Sequence, residues 1–260
     1  MKPVSFTKTG LDLLAMQMIW TFWALGIFMV INIVQKIFLS SNMDSFYSAG
    51  YIGSNIYMFV IGIIAISLLT YYVENGITRK NYFYGNVIAS IGLSIILPII
   101  LYLISLVEVF IINRFTKLTL DIGMLDSVMT EVVTDVDGNI IAEIVLSMIL
   151  TPVVGIETNL VLSLAIFSLN ILVFYIVGWL MGAAFQRLGV IGGLLFIAIG
   201  IAVIGVKDSM LRLALDAPLF ETFSFLDAVP ESLALPVTFV AIIVTFIMIR
   251  LLTKRTPIKI

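Results

Sequence analysis

The stretch YYVENGITRKNYFYGN, residues 71–86, gathers a carboxylate at Glu74, adjacent cations at Arg79 and Lys80, and four tyrosines between two long apolar runs. Such a mixture suits docking, because cationic and aromatic side chains are favoured where proteins meet. The plainer reading is a basic loop whose tyrosines sit among lipid headgroups. Catalytic equipment is scarce elsewhere. The chain holds no His and no Cys, which removes Ser-His-Asp chemistry, thiol nucleophiles, disulfides and zinc sites built on those ligands. No Lys follows a Gly, so the phosphate-cradling GxxxxGK[ST] loop is missing too. We expect no enzyme activity in this chain. A net charge of -2 gives no reason to expect nucleic acid as a partner.

Carboxylates buried in the chain's apolar runs would be the coupling groups of a proton- or sodium-driven secondary carrier. The candidates are Glu108 and Glu157. At about 1.5 Å per residue, Glu108 comes about 30 Å along its run, at an end and not at the centre. Glu157 lies where a run begins. Asn170 is the strongly polar residue near the middle of a run. Interhelical hydrogen bonding is the plain reading of it, and a binding site the sharper one. With so little coupling chemistry inside, any work of transport is expected to be powered from elsewhere.

These residues must be positioned by helices in lipid. Of 260 residues, 61% are hydrophobic and only 12% charged, against about half and a quarter in soluble chains. A crossing needs about 20 apolar residues. Six runs suggest six transmembrane helices: about 14–38, 52–73, 87–112, 158–185, 188–206 and 234–253. The uncharged stretch from Leu13 to Gln35 is 23 residues long, so it reads as a retained span and not as a signal-peptide core. Gln186 and Arg187 divide the fourth and fifth runs, and the chain should turn there. With both termini cytoplasmic, nine cations lie inside (Lys2, Lys8, Arg79, Lys80, Arg187, Arg250, Lys254, Arg255 and Lys259). Five lie outside, at Lys36, Arg114, Lys117, Lys207 and Arg212. That bias sets the orientation.

The outer segments carry further features. EVVTDVDGNIIAEI alternates around Asp137-Gly138, the mark of a tight β-hairpin. A partial calcium loop on Asp135, Asp137 and Asn139 is the alternative, but no Glu stands at the twelfth position. The apolar stretch 144–156 is too short to span and contains Thr151-Pro152. Residues 207–233 mix Leu, Phe and Met with charges, as an interfacial helix or a lid would. At the opposite side, residues 5–17 suit an interfacial helix along the inner surface.

Within the opening stretch, Glu74-Asn75-Gly76 can end span two, since Asn and Gly suit a helix C-terminus. Thr78 can cap a short new helix over Arg79, Lys80, Asn81, Tyr82 and Phe83. Gly85-Asn86 would then return the chain into span three.

The layout, with its GITRKNYF patch after span two and GWLMGAAFQRLGVIGG at 178–193, resembles the ABC-type export permeases of Gram-positive bacteria. The resemblance implies an all-α integral membrane fold with one permease domain over residues 1–260, placed in the plasma membrane. It also implies a second permease copy, identical or related, and a separate cytoplasmic ATP-binding subunit that holds ATP and Mg. No cofactor is expected in this chain. The short helix between spans two and three would be the coupling helix. Glu74, Asn75, Gly76, Thr78, Arg79, Lys80, Asn81 and Tyr82 would contact the ATPase. Within the family the chain is most similar to exporters of, or immunity permeases against, amphipathic peptides such as cytolytic toxins and bacteriocins. Gly178 and Gly182 would let helices approach closely along the path, or within one subunit. Pro98 would kink span three, as a hinge or passively. A secondary carrier and a non-transporting scaffold are the alternatives.

Overall fold

The computed structural model describes residues 5–39, 45–115, 140–149 and 151–254. Its helices are α1 (Phe6–Leu39), α2 (Phe46–Glu74), α3 (Arg79–Phe115), α4 (Ile140–Ile149), α5 (Leu160–Ala214) and α6 (Glu231–Thr253), with a 3₁₀ helix at Glu221–Ala228. Among the described residues there is no strand. All but α4 and the 3₁₀ helix are long and apolar enough to cross a membrane, which gives five candidates. In hydrocarbon a backbone must satisfy its own hydrogen bonds, and a helix does so within one segment.

The 55-residue α5 is not one rod. Gly189 has φ 71 and ψ −165, a conformation open to glycine and costly for other residues. Beyond it the chain folds back on itself. A Cβ on Gly200 would lie 2.8 Å from Val177, and one on Gly193 would overlap the Phe185 ring. The second arm therefore runs antiparallel along the first. The first arm is the centre of the molecule: Val173 through Ala184 are buried on every face, as expected of a helix surrounded by others. Around it pack α2, α3 and α6, while α1 lies along α3 and scarcely touches α2.

The tightest crossing joins α2 to α5. A Cβ at Gly62 would overlap the Tyr175 carbonyl, and one at Gly178 would overlap that of Phe59. At Gly182 the nearest atom, Ile63 O, would be 2.9 Å away. Missing side chains here let two backbones touch. Trp179, Tyr175, Tyr82, Tyr51 and Phe167 fill the surrounding core.

Several expectations are corrected. Gly85 and Asn86 do not turn the chain; they lie inside α3, which begins at Arg79, so no separate short helix precedes span three. Gly85 is flat because α1 rests on it: a Cβ on Gly10 would sit 3.0 Å from Gly85 O. Residues 6–17 are the opening turns of α1, continuous with the rest of it. The Asp137-Gly138 turn lies outside the described residues, but Ile140–Ile144, the second arm of the expected hairpin, is helical. Lys207, Asp208 and Arg212, expected in an outer loop, belong to the second arm of α5, which continues to Ala214. Pro98 sits within an α3 that runs on through it.

Candidate functional site

One end of the bundle collects the cations. The end of α2 forms a Schellman motif: Gly76 takes φ 83, Gly76 N donates to Val73 O at 3.0 Å, and Ile77 N donates to Tyr72 O at 2.9 Å. Thr78 then caps α3, its hydroxyl accepting from Asn81 N at 3.1 Å. The connection is thus only Asn75 to Thr78, held by a cap on each side. Arg79 donates to Lys254 O at 3.1 Å, and Arg250 to Arg79 O at 3.3 Å. Arg187 reaches Leu251 O and Leu252 O. These guanidinium groups occupy the carbonyl-rich end of α6, where cations are favoured. Arg250 also lies 5.4 Å from the centre of the Phe83 ring. Lys8, Lys80 and Lys254 stand exposed at this same end, and the starts of α1 and α3 meet there through Phe6 and Tyr84, ring centres 6.2 Å apart.

The eight residues expected to contact an ATPase divide by exposure. Glu74, Asn75, Gly76, Thr78 and Lys80 are exposed, and Arg79 and Asn81 half-buried. Tyr82 is fully buried, its hydroxyl donating to Ala65 O, so it supports the loop from beneath and cannot be a surface contact. Asp12, on α1, is tied to the same floor by accepting from the Tyr72 hydroxyl at 2.8 Å.

A second cluster lies toward the opposite end, where Asn170 makes the interhelical hydrogen bonds that were its plain reading, and the cluster's buried charges have no counterpart in the expectations. Asn170 accepts from Lys207 Nζ at 2.6 Å and donates to Asn55 Oδ1 at 2.7 Å. Arg212 Nε donates to Asp208 Oδ2 at 2.7 Å, and Arg212 Nη1 to Pro218 O at 3.1 Å. Its guanidinium stacks on Phe220, 4.4 Å from the ring centre. Lys207, Asp208 and Arg212 are all at or below 3% exposure. Charges this deep persist when paired and hydrogen-bonded. Asn170 thus bridges α2 and both arms of α5. Glu108 pairs with Lys36 and accepts from Phe46 N at 2.7 Å, joining α1, α2 and α3. Glu157 is exposed in the turn before α5.

Between the two ends, Gln17 Nε2 donates to the Tyr175 hydroxyl at 2.9 Å, and that hydroxyl donates to Asn86 Oδ1 at 2.9 Å. This network ties α1, α3 and α5 together at one level. It is the reason Asn86 stays within a helix: its amide is used across helices and not in a turn. Among the described residues no group of acidic side chains is placed to hold a metal ion. No protein-family model, curated protein or solved structure matches the chain.

Proposed function

We propose that this chain is the permease subunit of an ATP-driven ABC exporter. In this reading six helices cross the plasma membrane of a Gram-positive cell, the two arms of α5 counting as two, and both termini are cytoplasmic. A second permease copy, identical or related, completes the path. A separate cytoplasmic subunit binds ATP and Mg. The cargo is amphipathic or hydrophobic, a peptide toxin being the favoured kind.

The observation that carries this reading is the cationic end. Arg79, Arg187 and Arg250 lock the start of α3, the Gly189 reversal and the close of α6 to one another. Glu74, Asn75, Gly76, Thr78 and Lys80 are left exposed on that rigid base. A force applied at the Asn75–Thr78 connection would reach α2, α3 and α6 together, as a rocking mechanism requires. An excess of Lys and Arg also marks the cytoplasmic face.

The native chain has no cysteine, so a Lys80→Cys variant carries one addressable thiol. A membrane-impermeant maleimide should label it in inside-out vesicles and leave it unlabelled in intact cells. Co-expression with a candidate ATP-binding protein carrying the GxxxxGK[ST] loop should then yield a complex that Lys80→Glu dissolves. Labelling from the cell exterior, or cargo movement by the purified chain alone, sinks the proposal.

The second reading, a secondary carrier, is favoured by the Lys207, Asp208 and Arg212 cluster, since ionisable groups buried in a span mark ion and proton routes. It predicts cargo uptake into liposomes driven by an ion gradient without ATP, lost in Asp208→Asn.

A further inference from the structure

Two glycine-bearing faces of α2 do opposite things. At Gly62 the missing side chain lets α5 touch. At Gly53 it leaves room: a Cβ there would meet only the Phe28 ring, at 3.6 Å, an ordinary contact. The space beside Gly53 is a hollow of about 330 Å³ between α1 and α2, lined by Ala24, Phe28, Gly53, Tyr57 and Leu101 among others. It is apolar, and its size falls in the range of ligand pockets, roughly 300–1,000 Å³. Ile27 and Ile31, on its rim, are exposed, so it opens sideways, toward lipid if the helix crosses a membrane.

A second apolar hollow, of about 530 Å³, lies further along α1 against α3, lined by Asn32, Lys36, Phe46, Val107 and Glu108 among others. The two hollows are neighbours: Phe28, which lines the first, packs on Phe46, which lines the second, ring centres 5.1 Å apart. The second hollow is not purely apolar. The Lys36–Glu108 ion pair stands at it, 12% and 14% exposed. Asn32 is 6% exposed, and its Oδ1 meets no hydrogen-bond donor among the described residues. Asn32 lies one turn before Lys36, about 6 Å along the helix.

We infer that these hollows form one binding site for a zwitterionic phospholipid. Its headgroup sits at Lys36 and Glu108, its glycerol region lies near Asn32, and an acyl chain passes Phe28 and Phe46 into the space beside Gly53. The charge pattern selects the head. Lys36 spends one of its three protons on Glu108, so two remain for a phosphate, while Glu108 attracts the lipid's ammonium. An anionic head would bring its phosphate to Lys36 but no ammonium to set against the Glu108 carboxylate. The inference stands apart from the ATPase reading and survives its failure.

The test uses the whole chain in nanodiscs, with photoactivatable phosphatidylethanolamine or phosphatidylglycerol carrying a diazirine near the acyl terminus. With phosphatidylethanolamine, crosslinks should concentrate on residues 24–31 and 50–57, several-fold above the exposed stretch 190–195. Phosphatidylglycerol should label those positions weakly. Gly53→Phe should cut the labelling roughly fourfold or more, because each methylene denied burial is worth about that factor. Glu108→Gln should narrow the preference between the two lipids. The thermal unfolding midpoint establishes that each variant is folded. If Gly53→Phe does not fold, Ala24→Phe fills the same hollow. Equal labelling at all exposed apolar positions, equal labelling by the two lipids, or a folded filling variant that labels as the parent does would each overturn the inference.

Discussion

The two ends of the bundle handle positive charge differently. At the Arg79 end, guanidinium groups donate to backbone carbonyls, and no carboxylate lies within ion-pair distance of them among the described residues. Their charge is positioned but not neutralised, and Lys8, Lys80 and Lys254 add to it in the open. At the other end three cations are answered within the fold: Lys36 by Glu108, Arg212 by Asp208, Lys207 by the Asn170 carbonyl. One end is built to present charge outward and the other to hold charge inside. The lesson is that burial, and not the number of cations, separates an end that presents charge from one that holds it.

Removing partners should expose this contrast. The largest effect is expected at Asp208. Asp208→Asn removes the carboxylate that Arg212 Nε pairs with, beside the buried Lys207, and removing one partner of a buried pair costs about 3–5 kcal/mol. Detergent-solubilised protein should unfold at a much lower temperature, and adding Lys207→Met should restore part of the loss by removing one of the stranded charges. Asn170→Leu comes next. It takes the acceptor from Lys207 and the donor from Asn55, a loss of roughly 1–3 kcal/mol in the same assay. At the cationic end, Thr78→Ala removes only a helix cap and should cost about 1 kcal/mol. Lys80→Glu is the smallest in stability, within about 0.5 kcal/mol for an exposed position, yet on the proposed function it should abolish association with an ATP-binding subunit. If Lys80→Glu destabilised the chain as much as Asp208→Asn, the distinction between the two ends would fall.

The five long helices were legible from apolar run length. The run 87–112 lies inside α3, and 52–73 inside α2. Gly76 and Thr78 announce the α2 end and the α3 start because their chemistry is local: one admits positive φ, the other offers a capping oxygen. Failures came where tertiary partners override local preference. A charge in a span is read as a boundary because it costs about 2.5–3.5 kcal/mol at the centre. Lys207 and Asp208 escape that rule through partners the sequence does not bring near: Lys207 reaches back 37 positions to Asn170, and Asn170 reaches 115 to Asn55. Gly85-Asn86 misleads similarly, since glycine and asparagine usually signal a turn. Here one makes room for α1 and the other bonds Tyr175. The exposed part of the candidate site was therefore readable from composition, and the buried charge centre was not. Its one signal was Asn170, a polar residue where lipid-facing sequence should have none.

The contact of α2 with α5 bears on how natural variation in this chain will read. Gly62 and Gly178 carry no side-chain chemistry, yet even an alanine at either position would force a methyl group into a peptide plane. Both should tolerate nothing else across descendants of this sequence. Invariance at those two columns would then measure a separation between backbones, and a search that equates constancy with catalysis would be led to the wrong place.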